Sequence, residues 1–413
     1  MQLRRTRITR ELHEGAASRG RFLLADVREG LDQLLQTHAG QIKLIYLDPP
    51  FQTGKRFEMR VRVGEAEWKQ GNGKLVLPTF ADSITRDEFL EMMREVLTRC
   101  RMLLREDGML FLHIDYRTHP YLRLMMDEIF GENNFLNEII WVYQSGGRSL
   151  KYFSRKHDVI LFYRRSAAYD FNVEAVMAPP TQPRTSHMRR HVDPDGRRYR
   201  SIRVGERVYT YYDDDPVAPT DVWNDLSHLQ QRDPQRTGYD TQKPLSLLDR
   251  IVRCGSRPGD TVLDPFAGSS TTLEAAKRLE RDFIGIDLCP LTLNIARRRL
   301  QGAQYALEYP PFEGDPVCEA SATPGVGYYH VMLGRFELEP GILERKFDGL
   351  DAVDNWSAGY IKDGEYRAMA ESARTKRSPA LASTLDVPAY AGQLALCVSD
   401  VTGRCFCYEI DPE

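Results

Sequence analysis

The residues most suited to chemistry near the start of the chain are Asp48, Pro49, Pro50 and Phe51, which follow the apolar run "LIYL". Two successive prolines restrict the backbone, so the Asp48 carboxylate and the Pro49 carbonyl can face one point. Such a pair can accept both hydrogens of an amino group on a flat ring while Phe51 stacks on that ring. This would free the nitrogen lone pair by geometry and electrostatics alone. A stiff structural turn explains the same four residues equally well.

A second group of polar and small residues stands at the ends of two later strands. The run "TVLD" ends at Asp264, the small-residue turn 267–270 and a helix follow, and the next strand ends at Asp287. Such a turn lets a ligand approach the backbone near a helix N-terminus, and the second acid can accept hydrogen bonds from ribose hydroxyls. The spacing is neither GxGxxG nor a P-loop. It predicts a site for a nucleoside-containing cofactor, and a plain strand–helix–strand corner is the alternative.

Arginines dominate the segment 181–210, although the whole chain has a formal net charge of -3. Only Asp193, Asp195 and Glu206 oppose them, and Tyr199 and Tyr209 lie between them. Arginines interleaved with aromatic residues are typical of phosphate and base contact. A solvated loop face has the same composition, so this stretch alone leaves both interpretations open. The arginines are Arg184, Arg189, Arg190, Arg197, Arg198, Arg200, Arg203 and Arg207.

The elements that must position these residues alternate between strands and helices. In 1–165, "RFLLADV", "IKLIYLD" and "DGMLFLHID" predict strands, while "REGLDQLLQTHAG" and "TRDEFLEMMREVLTRCRMLLRE" predict helices. A capping box of Thr85 and Glu88 opens the second helix. The alternation predicts an α/β fold with a mostly parallel sheet. It fades in an insertion at 166–240, returns at 241–305, and gives way at 306–413 to a linker and a small strand-rich C-terminal module of unassigned role.

Taken together, these stretches resemble the β class of bacterial S-adenosylmethionine-dependent DNA amino-methyltransferases, which act on adenine N6 or cytosine N4. That class has its DPPY/F motif ahead of its FxGxGT motif, as here with 48–51 and 264–271. The resemblance covers roughly 20–305 and includes "LLADVREGLDQL", "LMMDEIFGENNFLNEIIWVY", "DVWNDL" and "TGYDTQKPLSLLDRIV". It implies a Rossmann-like methyltransferase sheet with permuted motif order, in which the insertion recognises the target sequence.

The resemblance also implies a role for each matching residue. Lys243 would approach the carboxylate of the cofactor, Asp287 its ribose and Asp26 its adenine edge. The residues that would hold the target base are Asp48, Pro49, Pro50 and Phe51. The turn that would hold the methionine part of the cofactor comprises Asp264, Pro265, Phe266, Ala267, Gly268 and Ser269.

Two residues depart from the pattern of the class. Ser270 stands where the cofactor motif has a glycine, which removes backbone freedom at that point. Phe51 stands where tyrosine is more usual, which keeps the stacking surface and loses a hydroxyl.

The implied reaction is methylation of the N6 amino group of an adenine flipped out of duplex DNA. The alternatives are cytosine N4 as the target, methylation of protein glutamine or RNA by a related NPPY-type enzyme, and a DNA-binding regulator that has lost activity. The arginines between 184 and 207 would read bases, and Lys55 and Arg56 would cover the flipped base or grip the displaced strand. Double-stranded DNA is the implied partner, and the class allows a homodimer and a companion restriction endonuclease.

The remaining composition argues against several other classes. The chain has no run of eighteen apolar residues, so we expect no membrane span. The N-terminal stretch "MQLRRTRITRELHEG" lacks the apolar core of a secretory signal. Seven scattered cysteines predict reduced thiols in a cytoplasmic protein. We expect no metal, because the histidines lack ligand spacing and Cys405 and Cys407 have no partner motif; His113 is expected to be a hydrogen-bonded core residue.

Overall fold

The computed structural model describes residues 3–15, 18–71, 73–143, 149–180, 188–343, 347 and 349–412. The α-helices in this part of the chain are α1 (Val27–His38), α2 (Gly64–Gln70), α3 (Arg86–Leu103), α4 (His119–Phe130), α5 (Leu245–Gly255), α6 (Thr271–Arg278) and α7 (Leu291–Leu300). The strands up to the insertion are β1 (Arg4–Thr6), β2 (Arg10–His13), β3 (Arg19–Leu24), β4 (Ile42–Leu47), β5 (Arg56–Val61), β6 (Leu75–Ala81), β7 (Leu104–Ile114), β8 (Phe135–Val142) and β9 (His157–Arg164). The later strands are β10 (Arg189–Val192), β11 (Arg198–Val204), β12 (Arg207–Tyr212), β13 (Val222–Trp223), β14 (Thr261–Asp264), β15 (Asp282–Asp287), β16 (Gln304–Glu308), β17 (Val317–Pro324), β18 (Tyr328–Glu337), β19 (Val353–Lys362), β20 (Glu365–Ala373), β21 (Thr384–Pro388), β22 (Gln393–Asp400) and β23 (Cys405–Glu409).

The centre of the molecule is a parallel sheet in the order β16–β3–β15–β14–β4–β7. Strands β9 and β8 continue it in antiparallel pairing beyond β7. This confirms the predicted mostly parallel α/β fold. Strands β4 and β14 are neighbours at its centre, with Ile45 opposite Leu263. The two motifs that are far apart in the chain therefore emerge side by side at one edge of the sheet.

Helices cover both faces of this sheet because its central strands are apolar on both sides. On β4, Leu44 and Tyr46 pack with α5, α6 and α7, whereas Ile45 and Leu47 pack with α1, α3 and α4. Helix α3 begins at the predicted capping box, in which Thr85 accepts a hydrogen bond from the Glu88 backbone and the Glu88 carboxylate accepts one in return. The result is a three-layer arrangement in which the strand ends are held rigidly.

The segment after Phe51 forms a separate unit of β5, α2 and β6, with the two strands paired antiparallel. The Asp82 carboxylate fixes its base by accepting hydrogen bonds from the backbone nitrogens of Gln52 and Thr53, at 3.1 and 2.6 Å. Gln52 has a φ of 53°, so the chain turns sharply there. The unit packs on Tyr239, α7 and Val401 through an apolar cluster that includes Met59.

The insertion contains its own three-stranded antiparallel sheet, β10–β11–β12. Its register places Arg189 and Arg203 on one face and Arg190, Arg198 and Arg200 on the other, because directly paired residues share a face. The predicted arginine-rich segment is thus a small sheet with cationic residues on both sides. The domain boundaries themselves stay a prediction.

Strands from beyond residue 306 extend the central sheet, and three of them form a second sheet of their own. β20 pairs with β2 in parallel, and β19, β22, β23 and β1 follow in order. At this junction the buried Glu11 carboxylate binds the Arg297 guanidinium of α7, with Oε2 and Nη2 2.6 Å apart. The strand-rich character of the C-terminal module was predicted, and its continuity with the central sheet was not.

The expectation of reduced thiols is wrong for one pair of cysteines. Cys397 and Cys407 are joined in a disulfide. The reason is the hairpin of β22 and β23, whose register sets these two residues directly opposite each other with their Cα atoms 4.1 Å apart. Spacing along the sequence did not reveal that hairpin. Within the described ranges, no helix is long and apolar enough to cross a membrane.

Candidate active site

The Asp48 side chain stands just beyond the end of β4, where the sheet leaves room for a cavity. Lys243, which precedes α5, binds it with two hydrogen bonds of 2.8 and 2.6 Å to the two carboxylate oxygens. The same ammonium lies 5.0 Å from the centre of the Phe51 ring. The chain thus presents an acidic acceptor and an aromatic face to a single cationic nitrogen.

The small-residue turn after β14 is held by hydrogen bonds to its own acids. The Gly268 backbone nitrogen donates to Asp287 Oδ2 at 2.7 Å, and the Phe266 nitrogen donates to Asp264 Oδ1 at 3.0 Å. Gly268 has a φ of 46°, and a Cβ there would lie 3.2 Å from the Tyr239 ring. Glycine therefore serves this position both for its conformation and for the close approach of the ring.

Ser270, at the start of α6, adopts the left-handed conformation for which the glycine of the motif is suited. Its φ and ψ are 55° and 28°. The residue is fully buried, and its hydroxyl has no hydrogen-bond partner in the described part of the chain. The substitution thus keeps the shape of the turn at the expense of local strain.

Three carboxylates share this small volume, and the pKa values of two of them are raised. Burial raises the pKa of Asp264 to about 7, and the neighbouring charges of Asp48 and Asp287 act in the same direction. Burial also raises the pKa of Asp287 to about 6, against hydrogen bonds from the backbone of Cys289 and Gly268. At the opening of the site, the Arg28 guanidinium holds the pKa of Asp26 below its usual value. A site of this kind favours a ligand that carries positive charge.

The two motifs meet around one cavity of about 320 Å³. Every residue predicted to hold the target base or the cofactor contributes to its wall. The cause is the adjacency of β4 and β14, which brings two carboxyl strand ends together. Those wall residues are Asp26, Asp48, Pro49, Pro50, Phe51, Lys243, Asp264, Pro265, Phe266, Ala267, Gly268, Ser269 and Asp287.

Some wall residues were not singled out from the sequence. Tyr239 lies within the matched stretch "TGYDTQKP", which was a usable signal, and it is buried against the turn. Phe57 and Phe80 come from the β5–β6 unit, and their rings stack 4.7 Å apart at the cavity. No residue pattern marked them, because their place depends on how that unit folds over the site.

His113 is a buried core residue hydrogen-bonded on both ring nitrogens, as expected. Nδ1 lies 2.8 Å from the Tyr46 hydroxyl and Nε2 3.1 Å from Asp158 Oδ2. Its ring centre is 6.0 Å from that of Phe51. The hydrogen-bonded His113 therefore packs behind the Phe51 ring and helps to hold it in place. The only group of three close metal-type ligands among the described residues is Cys397, Cys405 and Cys407, far along the chain in the C-terminal strands.

The predicted DNA-binding residues fall into two groups. Arg197 is paired with Asp214, and Arg200 is buried and lies 3.2 Å from Asp213. The others are exposed, and they are Lys55, Arg56, Arg189, Arg190, Arg198 and Arg203. Arg184 lies outside the described residues. Among the described members of this set, no side chain lines the cavity.

An open parallel sheet with acids at two strand ends and a left-handed glycine between them is the arrangement in which many α/β proteins bind nucleoside-type cofactors at the carboxyl edge of the sheet. The profile of the family described as DNA methylase matches residues 42–298, which is more than half of the chain. The chain belongs to this DNA methylase family.

Two curated proteins illustrate the similarity. The type II methyltransferase M.EcaI of Enterobacter cloacae is 28% identical over 312 residues, which cover 64% of this chain and 66% of that protein. The DNA adenine methyltransferase YhdJ of Escherichia coli strain K12 is 28% identical over 279 residues, which cover 67% of this chain and 82% of that protein. The chain thus spans just under two thirds of the length of the Enterobacter protein.

Solved structures of DNA methylases overlap this chain only loosely. The M1.HpyAVI–SAM complex is 20% identical, covers 68% of this chain and 99% of its own, and has a TM-score of 0.42. The cytosine-N4-specific PvuII DNA methyltransferase is 14% identical, covers 71% of this chain and 88% of its own, and has a TM-score of 0.45. Scores of this size add no argument about function.

Proposed function

We propose that this protein transfers a methyl group from S-adenosylmethionine to the N6 amino group of an adenine flipped out of duplex DNA. The observation that carries the proposal is the convergence of the Asp48–Phe51 motif and the Asp264–Asp287 turn on one cavity. Membership of the DNA methylase family supports the same reaction class.

The residues of the cavity fit this cofactor in charge and shape. When bound, S-adenosylmethionine supplies an electrophilic methyl group, and it carries positive charge. The carboxylates of Asp264 and Asp287, whose pKa values are raised by burial, are suited to a cationic ligand. The turn at Gly268 presents backbone near the N-terminal end of α6, and Asp26, which caps α1, also lines the cavity. We assign the ribose to Asp287 and the adenine edge to Asp26.

The target side is assigned to residues 48–51. The Asp48 carboxylate and the Pro49 carbonyl accept the hydrogens of the target amine, and Phe51 stacks on the base. Lys243 competes with that amine for Asp48, since both are nitrogen donors that need the same two oxygens. On this proposal, Lys243 turns to the carboxylate of the cofactor when the amine arrives. Asp48 thus orients the amine and accepts a proton that the methylated nitrogen must lose.

Recognition of duplex DNA is assigned to the exposed arginines of the β10–β12 sheet. Arg190 and Arg198 share one face, and Arg189 and Arg203 share the other. Only one face can enter a groove, so one pair reads bases and the other stays on the outside. Arg197 and Arg200 are already paired with acids and are assigned to holding the sheet together. A homodimer, a companion endonuclease and a cytoplasmic location stay predictions.

A labelling experiment tests the function. The protein is incubated with S-adenosylmethionine labelled in the methyl group and with unmethylated plasmid DNA, and the DNA is digested to nucleosides. Label in N6-methyladenine is the expected result. Label in N4-methylcytosine would assign the other base, which the same site chemistry accommodates. DNA that stays unlabelled while the protein binds the cofactor would contradict the proposed activity and leave a DNA-binding regulator.

A further inference from the structure

Two large apolar side chains project fully into solvent beside the active site. Leu150 and Phe153 have relative exposures of 104% and 98%, so almost none of their surface touches the rest of the described chain. Tyr152, between them, is also exposed. We call residues 149–156 the apolar loop. Burying a leucine or phenylalanine side chain is favourable, so such exposure calls for a partner.

The apolar loop is shaped by its own hydrogen bonds. Ser154 Oγ accepts from the Ser149 nitrogen at 3.1 Å, and Ser149 Oγ accepts from the nitrogens of Lys151 and Tyr152 at 3.2 and 3.3 Å. Backbone donors are therefore satisfied inside the loop while its large side chains face outward. A loop that folded to bury its own apolar residues would instead turn these side chains inward.

The position of the apolar loop ties it to the target side of the cavity. It leads directly into β9, which runs antiparallel to β7 with Val159 opposite Ile114. The loop is therefore at the edge where β7 ends, next to the end of β4 that carries Asp48. Contacts across this edge connect the two: Arg155 stacks 4.0 Å above the ring of Tyr116, and His113 of β7 packs near Phe51.

The charge of the apolar loop suits DNA. Residues 149–156 include Lys151, Arg155 and Lys156 and contain no acid. Phosphates attract such cations, whereas the apolar tips are suited to the space between stacked bases. A membrane surface would need a broader apolar face than two side chains, and a protein partner would not explain the location beside the target site.

We propose that the apolar loop is a wedge that enters duplex DNA at the target step and fills the space that the flipped base leaves. Phe153 and Leu150 insert, and Lys151 and Arg155 bind the flanking phosphates. Flipping a base loses stacking and pairing, and an inserted side chain offsets part of that loss. The inference rests on the proposed function, because it needs a base to be removed from the stack.

Two duplexes separate insertion from other effects. Both contain the site at which the wild-type protein deposits label, and in one of them the base opposite the target is replaced by an abasic residue, so that flipping is cheap. Phe153→Ser should lower the single-turnover rate on the intact duplex about tenfold or more and leave the rate on the abasic duplex within about threefold of wild type. Leu150→Ser should act in the same direction.

Val326→Ser is the matched control, because Val326 is 97% exposed in the turn between β17 and β18 of the C-terminal strands. It should leave both rates unchanged. Cofactor affinity should be the same in all three variants. Lys151→Gln and Arg155→Gln should each reduce the slope of the logarithm of duplex affinity against the logarithm of salt concentration by about one, as expected for the loss of one phosphate contact.

The outcomes are distinct for the two proposals. An active wild type with Phe153→Ser unchanged on the intact duplex would overturn the wedge alone, and so would an equal loss on both duplexes. Plasmid DNA that the wild type leaves unlabelled would contradict the proposed function, and the wedge with it.

Discussion

The Lys243 ammonium binds both carboxylate oxygens of Asp48, at 2.8 and 2.6 Å, and lies 5.0 Å from the centre of the Phe51 ring. One cation thus satisfies the two groups proposed for the target base. Any amine that comes to Asp48 must displace Lys243 or share the carboxylate with it. The arrival of the base and the position of this lysine are therefore coupled, and changing Asp48 affects the two ligands of the site differently.

We expect Asp48→Asn to lower the rate of methyl transfer at saturating cofactor by about 100-fold or more, since one positioned electrostatic partner of a reacting group typically contributes that much. Cofactor affinity should stay the same or rise, because Lys243 is released from its acidic partner. The rate is measured by label transfer and the affinity by calorimetry. Asp26→Asn is the matched comparison and should mainly raise the KM for the cofactor. A fully active Asp48→Asn variant would disprove the role of Asp48.

We expect cofactor affinity to rise as pH increases from about 5.5 to about 7.5 and then to level off. The pKa values of Asp287 and Asp264 are raised to about 6 and about 7, so both groups are largely protonated at the lower pH and attract a cation only once ionised. Binding of a cationic ligand should therefore release protons. Calorimetry in buffers of different ionisation enthalpy measures that release.

The product S-adenosylhomocysteine, which lacks the sulfonium charge, is the control for this pH dependence. Its affinity should change less over the same range. Equal pH profiles for the two ligands would show that the carboxylates do not respond to the charge on sulfur.

Asp264→Asn should stabilise the free protein at pH 8 by on the order of 2 kcal/mol, because the wild type must then bury an ionised carboxylate. The folded pKa of Asp264 lies above its unfolded value, so the folded state binds the proton more tightly. That contribution to stability is fully present below about pH 4 and is lost as the pH rises through about 7. Urea unfolding at pH 4 and pH 8 checks the sign. Variant and wild type should be equal at pH 4, and a variant that is less stable at pH 8 would refute the argument.

Ser270→Gly should raise the free energy of unfolding by about 1 kcal/mol. The left-handed conformation of Ser270 is costly for a residue with a Cβ, and glycine adopts it freely. The change also removes a buried hydroxyl that has no partner among the described residues. Urea unfolding measures the gain, and Ser269→Gly, one residue away, should destabilise the protein. A loss of stability in Ser270→Gly would mean that the hydroxyl packs better than its strain costs.

Arg297→Met should destabilise the protein by about 3–5 kcal/mol, because it removes the guanidinium that binds the buried Glu11 carboxylate and leaves only His13 to balance its charge. Burial alone would raise the pKa of Glu11, but the charges of Arg297 and His13 hold it well below its usual value. The double variant Glu11→Gln with Arg297→Met should recover most of the loss. If it recovers none, the cost comes from packing and not from the unpaired charge.

Much of the site could be predicted from the sequence because its chemistry lies in short motifs. The apolar runs that end in Asp48 and Asp264 predict two strands, β4 and β14, with an acid after or at the end of each. Parallel strands bring such ends together at one edge of the sheet. Phe57 and Phe80 could not be predicted, since they depend on how the β5–β6 unit folds over the cavity. The same limit applies to Arg200, which the pairing of β10–β12 buries beside Asp213 although Arg198 and Arg203 of the same strand are exposed.

The sheet that the C-terminal strands join could not be predicted from the sequence, for a different reason. Their sequence predicts a strand-rich module but does not say which sheet the strands join. The parallel pairing of β20 with β2, over Glu11–Tyr366 to His13–Ala368, makes them continuous with the central sheet. The disulfide of Cys397 and Cys407 depends on a hairpin register for the same reason.

Strands β1 and β23 lie side by side, with Arg4 opposite Glu409. A short linker can therefore join these two strands, and a new opening can be made between β12 and β13, where the chain is exposed. The rearranged gene would encode the cofactor turn first and the Asp48 motif second without moving any strand. The order of the two motifs is thus a matter of where the polypeptide is cut, and the two halves of the site are interchangeable in genetic order.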